Sequence, residues 1–182
     1  MSDGLLVRHC APTMANIKTG SLFSGFFSSE KEMINDVRQL NQRLKNKGIR
    51  FLPMNYKDGR GLIYVYRPHR LSDDLKDCEA CRILRSCGYS CSDENACLRR
   101  LICRIKQGED FPHEIGLFLG YPPEDVEGFI NQKGECKLCG IWKVYGDVEA
   151  AKCCFARYRK CTDLYCRQWQ KGKDIEHLTV AV

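Results

Sequence analysis

The chain has 182 residues, 43% of them hydrophobic and 29% charged. That balance excludes a disordered polypeptide and a membrane-embedded one. Lysine and arginine number 29 against 23 aspartate and glutamate, a net charge of +6, well short of the excess a dedicated nucleic-acid binder carries. A chain this long buries a core without disulfide staples, so its 13 cysteines need a separate account.

The first ten residues, MSDGLLVRHC, lack the basic start and long apolar segment of a secretory signal. The longest apolar run inside the chain, Ile115 to Tyr121, falls far short of the ~20 residues that span a bilayer. Both features predict a cytoplasmic protein. In a reducing cytoplasm cysteines stay unpaired, and their odd count agrees. So many thiols are an oxidation liability, which points to an anaerobic or strongly reducing host.

Taken in chain order, Leu5–His9 reads as a short first strand and Cys10–Gly20 (CAPTMANIKTG), with its proline and glycine, as a loop. Ser21–Phe27 reads as a helical turn. Ser28 and Ser29 are good caps, Glu32 completes a capping box with Ser29, and Met33, Val37, Leu40 and Leu44 recur at helical spacing until Gly48. Ile49–Tyr56 and Leu62–Arg67 read as strands joined through Lys57–Gly61, whose Asp-Gly step is a strong hairpin signal. Ser72 then caps a helix over Asp73–Cys87. Ser90 or Ser92 caps the next, with a stripe of Leu98, Leu101, Ile102 and Ile105 closed by Gly108.

Pro112 opens a short helix that Gly120 closes, and Pro122 or Pro123 opens another to about Asn131. Ile141–Tyr145 (IWKVY) alternates as a strand does. Asp147 caps a last helix with a face of Ala151, Phe155, Tyr158, Cys161, Tyr165 and Trp169. About four strands and six helices result. They predict an α+β fold in a single domain over residues 1–182, with a hairpin-containing sheet covered by helices.

Three phrases are distinctive: HCAPTMANIKTGSLF, FPHEIGLFLGYPPEDVEGFI and WKVYGDVEAAKCCFARYRKCTDLYC. With them the chain resembles, over nearly its whole length, a bacterial family of unknown function numbered 3793. The resemblance implies one full-length domain, an association with clostridial-type anaerobes and no assigned activity. The extra cysteines between Cys78 and Cys103 stand outside that family's pattern.

Reactive side chains concentrate in two places. Cys10 ends the expected first strand, where scaffolds present reactive groups on loops; a nearby cation would make it a nucleophile or a ligand. His9 points to the opposite strand face, which leaves His113 as base or ligand and Lys18 to hold an anion. Glu114 adjoins His113 at a helix start, where it also complements the helix dipole. Position 117 is leucine, so the HExxH pattern of a zinc protease is absent.

Cys136 and Cys139, spaced as CxxCG, resemble half of a zinc knuckle. Cys161 and Cys166 are the candidates for the other half, with Cys153 and Cys154 as a further pool. Five residues place Cys161 and Cys166 about 140° apart on an ideal helix, so sharing one ion needs a break near Thr162 or Asp163. Cys78, Cys81 and Cys87 sit with Leu75 and Leu84 at spacings that predict a buried stripe. Cys91, Cys97 and Cys103 follow similar logic. The C-terminal run of basic residues with Tyr158, Tyr165 and Trp169 reads as the wet and dry sides of one amphipathic helix, rather than as a nucleic-acid surface.

These residues predict a thiol- or metal-dependent enzyme acting on an anionic small molecule, with Cys10, His113, Lys18 and Glu114 at its centre. The alternative is a non-catalytic zinc or iron–sulfur protein built on Cys136, Cys139, Cys161 and Cys166, acting as carrier, sensor or electron-transfer module. The expected partner is accordingly a small molecule or a redox protein.

Overall fold

A computed structural model describes residues 2–90, 93–108, 110–131 and 134–182. The chain divides into two units: Met1–Arg70 with Tyr158–Val182, and Leu71–Arg157.

In the first unit, the expected strand at Leu5–His9 and the loop after it are replaced by helix α1, Asp3–Met14. Ser2 caps it by accepting from the Leu5 amide, and Asp3 lies in its first turn, where a negative charge is favoured. Leu6, Val7, Cys10, Ala11 and Met14 then fall on one buried face. Pro12 lies so near the end that the helix loses little to it; its carbonyl accepts from the amides of Ile17 and Lys18 and closes the turn. The expected helical turn at Ser21–Phe27 is instead strand β1, Gly20–Phe26, where Ser21 and Phe23 face inward and Ser24 and Phe26 outward.

Helix α2, Glu30–Arg43, forms as expected. Ser29 accepts from the Glu32 amide, and Glu32 Oε2 takes the Ser28 amide at 2.7 Å. Met33, Val37 and Leu40 bury its inner face, and a 3-10 turn over Lys45–Lys47 leads to Gly48 at φ 65°. Strands β2, Arg50–Lys57, and β3, Arg60–Tyr66, make the expected hairpin. Its two central residues, Asp58 and Gly59, have φ of 52° and 74°, the geometry that follows strand twist and that Asp-Gly tolerates best. The sheet is antiparallel in the order β1-β3-β2, and Pro53 sits beside a bulge on β2, an edge strand, where a missing N–H is tolerated.

The core of this unit joins Leu6, Cys10 and Met14 of α1, Met33, Val37 and Leu40 of α2, and Phe23, Phe51, Ile63 and Val65 of the sheet. Ile175 and Leu178 of a short helix that the sequence pattern did not indicate, α9 (Ile175–Leu178), complete it. Arg67, just past β3, has 0% exposure. Its guanidinium donates to the carbonyls of Thr13 (2.7 Å), Met14 (2.5 Å), Val180 (3.0 Å) and Lys47. Burial pulls its pKa down to about 10.

In the second unit, the single helix expected over Asp73–Cys87 is two. Helix α3, Pro68–Lys76, holds Ser72 in its interior, and helix α4, Cys78–Ser86, follows. Asp77 separates them because its carboxylate accepts the amides of Glu79 and Ala80, a local bond that competes with helix continuation. The buried residues of α4 are Ala80, Ile83 and Leu84. Cys78 is exposed and Cys81 and Cys87 are half-buried, so the expected cysteine stripe is instead a partly wet edge.

Helix α5, Glu94–Gln107, is capped by Asp93 rather than Ser90; Cys91 and Ser92 lie outside the described residues. Cys97, Leu98, Leu101 and Ile105 are buried along it, and Gly108 ends it. Helices α6, Ile115–Phe118, and α7, Pro123–Ile130, match the proline and glycine signals. The expected strand Ile141–Tyr145 shortens to β5, Lys143–Val144, paired with β4, Leu138–Cys139. Helix α8, Val148–Gln170, starts where Asp147 accepts the amides of Glu149 and Ala150. A small core of Val144, Ala151 and Phe155 gathers Leu138, Trp142 and Val148 around it. The fold is α+β, with two small antiparallel sheets. Among the described residues, no helix is long and apolar enough to cross a membrane.

Candidate functional site: an aromatic cleft in the second unit

The cleft is organised by one buried carboxylate. Pro122 and Pro123 start α7 and place Asp125 in its first turn, 3% exposed. Asp125 Oδ1 accepts the amides of Tyr145 (2.7 Å) and Gly146 (2.8 Å), and Oδ2 accepts Trp142 Nε1 at 2.7 Å. Three donors on one carboxylate fix the β4–β5 hairpin and the Trp142 ring against α7. Gly128 makes the close approach possible, because a Cβ there would stand 2.5 Å from the Tyr145 ring.

Between these elements lies a cavity of about 190 Å³, lined by His113, Gly116, Tyr121, Val126, Phe129, Ile141, Trp142 and Lys143 together with Asp125. Its walls are mostly rings. Tyr121 stacks on Trp142 at 4.7 Å, and Trp142 meets Phe155 edge-on at 4.5 Å. The His113 ring stands perpendicular to Phe129 at 4.7 Å, and Lys143 Nζ lies 5.3 Å from the Phe129 centroid, within cation–π range. Burial pushes the Tyr121 phenol up to about 12, so it is neutral at physiological pH. His113 and Lys143 are exposed.

Glu114 is 2% exposed. Its Oε1 accepts from Tyr89 Oη at 2.7 Å and pairs with Arg104 Nε at 3.1 Å. Burial first, and the Glu114 bond second, raise the Tyr89 pKa above the usual phenol range. Both partners hold Glu114 inside the unit, so it anchors the backbone that presents His113 at the mouth.

Cys10 and Lys18 belong to the first unit. Cys10 is 0% exposed within α1. Desolvation pushes its thiol up to about 12, opposed by the charge of Lys18. It is a buried neutral thiol in a helix, because the loop expected to expose it does not form. Lys18, 8% exposed, donates from Nζ to the Gly20 carbonyl at 2.5 Å, which spends its charge on the turn between α1 and β1.

Cys136 and Cys139 lie at the β4–β5 hairpin, half-buried and exposed. Cys161 and Cys166 lie on the part of α8 that belongs to the first unit, both half-buried. Burial raises Cys161 to about 11, and Cys166 packs against that unit's core. Helix α8 runs unbroken through Thr162 and Asp163, so the break needed to turn Cys161 and Cys166 to one side is absent. Among the described residues no three His, Cys, Asp or Glu side chains are grouped as metal ligands.

The family model for proteins of unknown function numbered DUF3793 matches residues 6–179. The chain belongs to the DUF3793 family. No curated protein and no solved structure gives a significant match to this DUF3793 chain.

Sequence reasoning reached His113 and Glu114 but missed Tyr121, Asp125, Phe129, Trp142 and Lys143. Spacing alone does not pair Asp125 with Trp142, because the bond crosses from a helix to a separate hairpin. The usable signal was the density of rings between Tyr121 and Tyr145, next to a proline-opened helix with an acidic first turn.

Proposed function

We propose that the second unit binds a small anionic molecule in this cleft, with His113 as the acid–base group facing it. One observation carries the reading. The lining carboxylate, Asp125, has both oxygens engaged by its own walls. Among the described residues of the unit, Lys143 and His113 form no ion pair with a carboxylate. The mouth therefore presents the Lys143 ammonium and the His113 imidazole over a low-polarity interior, where a charge–charge attraction is stronger than in open water. An imidazole can both donate and accept a proton, so His113 can donate to a bound anion or take its proton. The substrate chemistry expected from the sequence stands in this proposal, with the thiol of Cys10 outside it.

Trp142 is one of only two tryptophans, so a Trp169→Phe background makes it the sole indole reporter. Titration with acetate, benzoate and inorganic phosphate should give a saturable emission change with at least one of them. Lys143→Met should weaken that binding about tenfold, equivalent to about 1.4 kcal/mol. His113→Ala should weaken it too. A flat titration with all three, or one unaltered by Lys143→Met, rejects the reading.

A further inference from the structure

We infer that the occupant of this cleft is a single-ring aromatic carboxylate; the inference rests on the anion-binding reading above and narrows it to one chemical class. The first argument is size. An engineered closed cavity of about 150 Å³ holds one benzene, and this cleft, open on one side, offers about 190 Å³, room for one ring with a small substituent at the mouth.

The second argument is the fixed geometry of the walls. Trp142 is pinned by its bond to Asp125 and stacked on Tyr121, so neither ring needs ordering when a ligand arrives. A flat guest meets ring faces and edges already in place, an arrangement that favours an aromatic ring over a saturated ring of the same size. The third argument is where the charge lies. Lys143 Nζ is 5.3 Å from the Phe129 centroid, about one ring's reach. A guest ring beside Phe129 would have that ammonium and the His113 ring within reach of a carboxylate on its rim.

Sugars and nucleotides fit poorly. Their many hydroxyls need acceptors, and the carboxylate in the lining, Asp125, already serves three donors.

Isothermal titration of the full chain with benzoate, cyclohexanecarboxylate, acetate, benzyl alcohol and 2-naphthoate tests this. Benzoate should bind most tightly, about tenfold better than cyclohexanecarboxylate, with acetate and benzyl alcohol weaker again. Phe129→Leu should erase the preference for benzoate over its saturated analogue while leaving the response to charge. Trp142→Leu should do the same; Phe129→Leu keeps the test valid if loss of the Asp125 bond unfolds that variant. Equal binding of benzoate and cyclohexanecarboxylate overturns the aromatic class and leaves the anion site standing. Tighter binding of 2-naphthoate overturns the one-ring size. Benzyl alcohol binding as well as benzoate overturns both readings. No binding by any of the five overturns the aromatic carboxylate, and overturns the anion site too when inorganic phosphate also fails to bind.

Discussion

At the scale of the residue, Cys10 shows why a side chain's chemistry is set by its surroundings. A thiol at a strand end beside a lysine would be a candidate thiolate; the same thiol on the inner face of α1 is wholly buried. Removing charge from water disfavours ionisation, and the nearby Lys18 does not reverse the shift, which reaches about 12. The sign of the consequence follows by linkage. A thiol in the unfolded chain ionises near pH 8.5, so above that pH the unfolded state releases a proton that the folded state keeps. Cys10 therefore contributes stability that is fully present below about pH 8.5 and is lost as pH rises toward 12, at about 1.4 kcal/mol per pH unit. Urea unfolding at pH 7 and pH 10 measures it. Cys10→Ala should be less stable than the parent at pH 7, by roughly 1 kcal/mol for the lost sulfur contacts, and that deficit should shrink or reverse at pH 10. A deficit equal at both pH values would show that Cys10 ionises as freely folded as unfolded.

At the scale of the element, legibility tracks how local the determinants are. Helix α2 and the β2–β3 hairpin were readable because a capping box, a helical stripe and an Asp-Gly turn each act within a few residues. Helix α1 was not, because Pro12 resembles a stop signal unless one sees that it falls in the last turn, where few bonds remain to be lost. Strand β1 was misread for the opposite reason. Its seven residues, GSLFSGF, gain strand geometry from pairing with β3, a partner remote in sequence. The candidate cleft was legible in part: the FPHEIG segment stood out as a place for reactive side chains, whereas the clamp between α7 and the β4–β5 hairpin is a tertiary bond. That clamp is testable through Gly128. Alanine there would drive a methyl into the Tyr145 ring, and overpacking of this kind costs about 1–3 kcal/mol. Gly128→Ala should lower stability in that range and shift Trp142 emission, because the hairpin must move off α7. An unchanged spectrum with full stability would show that the seam has slack the structure does not display.

At the scale of the whole molecule, charge is unevenly shared. The unit of Met1–Arg70 and Tyr158–Val182 has 17 lysines and arginines against 8 acids, and Leu71–Arg157 has 12 against 15. The proposed anion site thus lies in the more acidic unit, so it must depend on Lys143 and His113 locally rather than on a long-range field. The basic unit uses part of its own charge as a structural bolt. Arg67 gathers carbonyls from the end of α1, the 3-10 turn after α2 and the C-terminal tail, segments that meet nowhere in sequence. A guanidinium suits this task because its five donors stay charged and fan out in a plane. Replacing it with an apolar group of similar length leaves buried acceptors without donors, each at roughly 1–3 kcal/mol. Water entry would recover some of that loss, so Arg67→Met should cost about 4 kcal/mol in total. Arg67→Lys, with one nitrogen to serve carbonyls on several sides, should recover less than half of it. Because Val180 is one of the acceptors, hydrogen exchange at the Thr179 and Val180 amides should accelerate in Arg67→Met before the rest of the unit opens. Loss of stability without faster exchange in the tail would mean that the bolt holds α1 and the turn while Val180 is secured by its own amide bond to Met14.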